Sequence, residues 1–300
     1  MTQIGIDFGG TKIEAAALDK SGAFLVRQRV PTPDNYADAI RAVADLIATV
    51  ESEVGHAASI GIGLPGSISP RTGAMRNANT RYLNGSSFKQ DIEKAMGRPV
   101  RLANDANCLA LSEAKDGAAA GSPVTFAVII GTGCGGGIVA NGVLIDGANG
   151  ITGEWGHTPL PWPRADELPG IPCWCGQNNC LERWISGSGF HDDYKRRAGQ
   201  ELKADAIVAL ARGGDAVATA TLDDYIDRLG RGMAVIANIL DPDCFVMGGG
   251  MSNVTELYDR LPPVIDRHTF SDGWVGKIVP AKWGDSSGVR GAAHLWPPEA

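Results

Sequence analysis

The stretch Ile4-Gly5-Ile6-Asp7-Phe8-Gly9-Gly10-Thr11-Lys12, followed at once by the apolar run from Ile13 to Leu18, most constrains what this chain can fold into. An apolar run, a glycine pair and a second apolar run predict strand, tight turn, strand. Adjacent glycines admit φ > 0 and close ligand approach because no Cβ stands in the way. Successive amide N–H groups pointing into one concavity form a nest suited to phosphate oxygens. Asp7 closes the first strand, where a carboxylate can hold a hydrated Mg²⁺ beside those phosphates. Thr11 adds a hydroxyl donor. An ordinary hairpin turn is the competing account, and the Asp before and Thr-Lys after the glycines weigh against it.

The motif is not a P-loop, which needs G-x-x-x-x-G-K-[ST] opening a helix. It also lacks the G-x-G-x-x-G spacing of a dinucleotide fingerprint. It is similar to the first phosphate loop of the actin, Hsp70 and hexokinase superfamily. That likeness implies an internal duplication with a second glycine hairpin downstream. Val124–Ile130, the turn Gly131-Thr132-Gly133-Cys134-Gly135-Gly136-Gly137 and the returning run Ile138–Ala140 supply it. Asn141-Gly142 then signals a type I′ turn. Gly248-Gly249-Gly250 is a third glycine turn, after the strand Cys244–Met247, where adenine or ribose could lie against bare backbone.

Three hundred residues permit one large domain or two modest ones around a cleft. A net charge of −7 argues against a nucleic-acid surface, which is normally basic. No apolar run approaches the ~20 residues needed to span a bilayer, and because the chain enters a strand at once a signal peptide is not expected. Six cysteines are few for a disulfide scaffold, so a reduced, cytoplasmic setting is expected.

Between the hairpins, Ile40, Val43, Ile47, Val50 and Val54 recur at helical spacing in 34–54, and Gly55 closes that helix. Ser59–Leu64 reads as a strand, 66–85 as a polar, turn-rich loop where ligand contacts gather, Phe88–Met96 as a short helix and Arg98–Ala103 as a strand. Asp105 falls at the strand-to-helix junction that follows. Its default role is an N-cap; the same geometry suits a base that accepts a proton from a substrate hydroxyl, its anion favoured by the helix N-terminus.

Downstream, His157, Cys173, Cys175 and Cys180 match a closed tetrahedral Cys₃His zinc site. Reduced structural cysteines or a disulfide are the alternatives, and a Cys173–Cys175 bridge would close a strained loop. Cys108, Cys134 and Cys244 receive no reactive role, and His56, His191, His268 and His294 lack metal-like spacing. Leu222, Tyr225, Ile226, Leu229, Met233, Ile236 and Leu240 form one long helical core stripe.

Taken together these stretches resemble the ROK (repressor, ORF, kinase) family of bacterial sugar kinases over essentially the whole chain. The matching motifs are Asp7–Lys12, Leu64-Pro65-Gly66, Asn104-Asp105, Gly131–Gly137, Glu154-x-x-His157, the Cys173–Glu182 cluster with Ser186-Gly187, and Gly248-Gly249-Gly250. Within it, 66–70, 77–79, 83–85 and 284–293 resemble the bacterial fructokinases, the manno(fructo)kinases in particular. Asn179 departs from the glycine usual before the last cysteine; Asn tolerates the left-handed region better than most residues. With the phosphate loop starting at residue 4, the DNA-binding segment of ROK repressors is not expected.

The resemblance implies an α/β, two-domain actin/hexokinase/Hsp70-like ATPase fold with a cleft between the domains. It divides the chain into 1–117, completed by a C-terminal helix at 286–300, and 118–285. It implies ATP-dependent phosphorylation of a hexose, foremost D-fructose at its 6-hydroxyl, with mannose, glucose or an N-acetylhexosamine as rivals and a sugar-sensing ATP-binding module as the non-enzyme alternative. It carries over Asp105 as catalytic base; Gly66, Asn79, Asn104, Glu154, His157 and Glu182 as sugar contacts; and Asp7, Gly9, Gly10, Thr11, Lys12, Gly131, Thr132, Gly133, Gly248, Gly249 and Gly250 as the ATP site. Mg²⁺, a structural Zn²⁺ and a homodimer complete what it implies.

Overall fold

One strand pattern is used twice. In a computed structural model describing residues 2–56 and 58–296, β1 (Gln3–Phe8) and β2 (Lys12–Leu18) form an antiparallel hairpin, with Asp7 opposite Glu14. β3 (Phe24–Pro31) adds antiparallel to β2; its alternation of Val26, Gln28 and Val30 with Arg27 and Arg29 is a period-2 signal for a half-buried strand. α1 (Tyr36–Val54) is capped by Asn35, whose side chain accepts from the Asp38 N–H, and ends on Gly55 at φ 77°. Its buried stripe of Ala39, Val43, Leu46, Ile47 and Val50 covers the sheet, each large aliphatic side chain contributing about 1.5–3 kcal/mol. β4 (Ser59–Leu64) runs parallel to β1; the small hairpin β5 (Ser67–Ile68) and β6 (Met75–Arg76) follows, then α2 (Phe88–Met96), β7 (Arg101–Asn104) and α3 (Asp105–Asp116).

The second round begins with β8 (Val124–Ile130), β9 (Cys134–Ala140) and β10 (Val143–Leu144). Asn141 and Gly142 have φ of 51° and 76°, as a type I′ turn demands. Helices α4 (Glu182–Ile185), α5 (Gly187–Ala198), α6 (Ala204–Arg212) and α7 (Ala216–Leu240) precede β11 (Cys244–Gly248). α8 (Glu256–His268), β12 (Lys277–Pro280) and α9 (Ser287–Ala293) close the described chain. The sheet orders are β3-β2-β1-β4-β7 and β10-β9-β8-β11-β12. In each, a glycine hairpin is followed by two parallel strands, so the duplication is structural.

The chain divides into two compact units, residues 1–121, 137–152 and 282–300 in the first, 122–136 and 153–281 in the second. The strip 137–152, expected with the later half, belongs to the first unit because Gly137 packs directly on the Ala106 carbonyl and Asn107 of α3 reaches Asp146. In that unit α9 lies on β1 and β4 so closely that a Cβ on Gly5 or Gly61 would collide with its Val289 or Ala292 carbonyl. The buried Glu113 carboxylate fixes the start of α9, accepting from the Lys282 and Trp283 N–H groups and the Ser287 hydroxyl at 2.9–3.0 Å. The terminal helix expected over 286–300 is thus present at Ser287–Ala293, and 297–300 lie outside the described residues.

Two local expectations are corrected. The second glycine turn is only Gly131–Gly133, and Gly135, Gly136 and Gly137 are strand residues of β9 that let neighbours approach: Gly136 faces the Phe126 ring. The strand expected from Arg98 starts at Arg101, after Pro99.

Candidate active site

In the first unit, the β1–β2 turn is closed by the Gly9 N–H donating to the Lys12 carbonyl at 3.0 Å and by the Thr32 hydroxyl donating to the Gly9 carbonyl at 2.7 Å. Neither Gly9 nor Gly10 has positive φ; what excludes a side chain at Gly9 is the Lys12 carbonyl, 2.8 Å from where its Cβ would stand, while Gly10 faces open space. Lys12 points its ammonium at Glu14, 3.9 Å away, a buried carboxylate that also pairs with Arg27 and Arg29.

Asp7 stands where β1 ends, and Gly288 of α9 is glycine because a Cβ would meet its carboxylate at 2.8 Å. Burial, then the charges of Asp105 and Glu14, push the Asp7 pKa up to about 6. Loss of water around Asp105 raises its pKa too, although its side chain keeps solvent-facing surface. Two neighbouring carboxylates that each resist ionisation are a poor structural choice and a good site for a cation or a proton transfer.

Asn104, not Asp105, caps α3: its side chain accepts from the Asn107 N–H at 2.7 Å. Asp105 is the first helical residue, its Oδ1 accepting from the adjacent Ala106 N–H at 2.9 Å. The capping role is therefore filled without it.

A cavity of about 190 Å³ lies beside these residues, lined by Gly66, Ser67, Ile68, Asn104, Asn107, Asp146 and Gly150 among others. Gly66 needs its glycine, at φ 79° with the Arg76 carbonyl where a Cβ would go. Arg76 ties the rim together, donating to the Ser67 hydroxyl at 3.1 Å and the Asn149 carbonyl at 2.6 Å. Asn79 is not in this cavity; it lines a separate one with Gly10, Pro33 and Tyr82. Asn107 and Asp146 were not foreseen. The signal for Asn107 was its i+3 spacing from Asn104 on one helix; Asp146 sits in a loop with no local pattern.

In the second unit, the Gly131–Gly133 turn is braced from below. The Gly187 N–H donates to the Gly131 carbonyl at 2.7 Å, and Glu182 Oε2 accepts from the Cys134 N–H at 2.9 Å. Glu182 Oε1 accepts from the Trp174 indole at 2.8 Å, so both oxygens of this expected sugar contact are engaged inside the unit. Trp155, between Glu154 and His157, anchors that segment by donating to the Gly135 carbonyl at 3.0 Å. A cavity of about 380 Å³ is lined by Gly131, Gly187, Gly250, Val208, Met251, Asp205 and Arg212 among others: bare backbone with apolar walls, suited to a flat base. Gly249, at φ 80° against the Ile130 carbonyl, shapes its approach; Gly248 is the last residue of β11.

His157, Cys173, Cys175 and Cys180 converge, their ligand atoms all within 4.8 Å of one another. Tetrahedral zinc with Zn–S near 2.3 Å and Zn–N near 2.0–2.1 Å sets its ligands about 3.5–3.8 Å apart. Here Cys173 Sγ to His157 Nδ1 is 3.7 Å and Cys175 Sγ to Cys180 Sγ is 3.5 Å, and all six cysteines are free thiols. The donor set fits a closed structural zinc. Asn179 adopts φ 60°, as expected for the loop, and its amide oxygen also accepts from the buried Trp184 indole at 2.8 Å. A second cavity in this unit, about 470 Å³, is walled by Glu167, Asp193 and Arg228, whose charges pair with one another at 2.6–2.7 Å. None of the expected site residues lies in it.

The sequence model of the ROK family matches residues 3–299. The chain belongs to the ROK family. It is 40% identical to N-acetyl-D-glucosamine kinase of Pectobacterium atrosepticum over 296 residues, 97% of each chain. The enzyme of the same name from Yersinia enterocolitica is 38% identical, across 97% of this chain and 98% of its own. Among solved structures, the ROK hexokinase of Thermus thermophilus superposes with a TM-score of 0.88 at 31% identity, covering 98% of this chain and 97% of that one. A ROK glucokinase from Streptomyces griseus, solved with glucose and AMPPNP, gives 0.76 at 29%, covering 98% and 99%. The fold is therefore the α/β, actin/hexokinase-like ATPase fold expected from the sequence. Among the described residues, no helix is long and apolar enough to cross a membrane.

Proposed function

We propose that this ROK protein is an ATP-dependent hexose kinase, with Asp105 as general base. The observation that carries this reading is the first unit's own arrangement: a phosphate-type glycine turn, two neighbouring carboxylates that resist ionisation, and a small polar cavity beside them. Phosphoryl transfer runs largely on positioning and charge stabilisation. Asp105 takes the proton of the sugar hydroxyl as its oxygen bonds to the γ-phosphorus and ADP leaves. Asp7 suits a hydrated Mg²⁺ on the phosphates; the turns at Gly9–Lys12 and Gly131–Gly133 bind phosphate, and Gly248–Gly250 lies toward the adenosine. Gly66 and Asn104 line the sugar cavity, and the family resemblance adds Asn79, Glu154, His157 and Glu182. His157, Cys173, Cys175 and Cys180 would hold a structural zinc, which would fix the shape of the 173–180 loop beside His157. A homodimer is the expected assembly, and sedimentation checks it.

Two sugars each have an observation behind them. Full-length similarity to N-acetyl-D-glucosamine kinases supports that substrate. The fructokinase-like segments 66–70, 77–79, 83–85 and 284–293 support D-fructose, phosphorylated at its 6-hydroxyl. Coupled ADP release with Mg·ATP over N-acetyl-D-glucosamine, D-fructose, D-glucose and D-mannose decides. The reading expects one of the first two to exceed glucose and mannose at least tenfold in kcat/KM. Release with none of the four would leave a sugar-sensing ATP-binding module.

A further inference from the structure

Asn107 and Asp146 are 39 residues apart in sequence, on α3 and on the loop after β10, and both line the 190 Å³ cavity of the first unit. The Asn107 amide nitrogen donates to Asp146 Oδ1 at 3.4 Å. That orientation turns its carbonyl oxygen away from the carboxylate. The oxygen is buried, in a residue only 8% exposed, and has no hydrogen-bond partner. A buried amide oxygen left unpaired is destabilising, so a ligand that supplies a donor there is favoured. Asp146 is an exposed carboxylate whose pKa is raised by partial loss of water on the cavity side. Its loop is held in place by Arg76, which bridges Asn149 and Ser67 across the rim, and by Gly150, whose missing side chain faces the Ile68 carbonyl.

The unpartnered amide oxygen and the rest of the carboxylate are acceptors, beside the one amide N–H of Asn107 that Asp146 leaves free. We propose that Asn107 and Asp146 form a donor-reading corner of the sugar site, accepting hydrogen bonds from one or two adjacent donors on the hexose and setting which sugars fit. This inference rests on the hexose-kinase reading and deepens it. The donors that match are a pair of neighbouring hydroxyls, or a hydroxyl beside the N–H of an acetamido group. A ring position bearing only an acceptor leaves both protein acceptors unpaired and is rejected, the way polar sites discriminate most strongly.

The test is a cycle of binding measurements by calorimetry on the full chain, without nucleotide. Wild type, Asp146→Ala and Asn107→Ala are titrated with D-fructose, N-acetyl-D-glucosamine and the single-position deoxy analogues of each. The expected result is that each substitution weakens the better sugar at least tenfold. At one or two neighbouring positions, removing the sugar donor should then cost wild type tenfold and the variants almost nothing, and the chemical identity of that donor separates hydroxyl from acetamido N–H. In kinetics the variants should raise the KM for sugar far more than that for ATP. Losses that simply add at every position would overturn the proposal, as would wild type binding none of the sugars. If wild type binds sugar with this coupling but releases no ADP, the corner stands and the kinase reading fails.

Discussion

At the scale of single residues, the site is built from carboxylates placed where ionisation is costly. Asp7 begins from an ordinary carboxyl value of 3.8 and is pushed to about 6, first by burial, then by Asp105 and Glu14. A raised folded-state pKa means that the protonated form is favoured by folding, so stability is highest below about 4 and falls as pH rises through 6. The difference corresponds to about 3 kcal/mol at most, at 1.36 kcal/mol per unit. Asp7→Asn should therefore raise the melting temperature of metal-free protein at pH 8 and change it little at pH 4, while abolishing Mg²⁺-dependent turnover. Thermal unfolding at the two pH values measures this, and a lower melting temperature at pH 8 would contradict it. Residues were legible where a motif named them and hidden where only the fold joined them. Local sequence assigned Asp105 the cap as its default role; the bond from the Asn107 N–H shows that Asn104 holds it instead. Asp146 carried no signal, because its partner lies 39 residues back and meets it only once β9 and β10 have formed.

At the scale of elements, glycines were readable as markers of close approach and less so for its cause. The Gly9-Gly10 pair suggested left-handed backbone, yet the constraint is one carbonyl beside Gly9. Gly5 and Gly61 drew no notice in sequence, although they let α9 lie flat on β1 and β4; the helix that explains them comes more than 200 residues later. β3 went unread although its apolar residues alternate with arginines as a half-buried strand's do; those arginines pair with the buried Glu14 of β2, a partner only the sheet supplies. The convergence of His157, Cys173, Cys175 and Cys180 was legible, since four side chains of metal-binding chemistry cluster in so short a stretch. An antiparallel bridge between Pro159 and Cys180 joins the His157 segment to this loop, and an ion on the four ligands would lock the loop's own wrap as well. Stripping zinc with a strong chelator, or Cys175→Ser, should lower the melting temperature by roughly 5 °C or more, since 1 kcal/mol shifts a domain of this size by about 2–4 °C. Elemental analysis should find one zinc per chain beforehand. An unchanged melting temperature on removal, or no zinc in freshly purified protein, would refute the structural role.

At the scale of the whole molecule, the internal duplication was the most legible feature, because each round begins with the same strand, glycine turn, strand. The assignment of 137–152 to the first unit was not legible. It depends on Gly137 and Asp146 packing against α3, contacts a linear division of the chain cannot contain. Family membership and the paired carboxylates together lead to one central claim, that Asp105 deprotonates a sugar hydroxyl during transfer from ATP. General-base assistance is typically worth ~10²–10⁴-fold. The most direct measurement is sugar-dependent ADP release by wild type and Asp105→Asn, with sugar affinity followed by calorimetry on the same samples. The account predicts a loss of kcat within that range while the sugar Kd changes less than about fivefold; turnover by Asp105→Asn at the wild-type rate would contradict it.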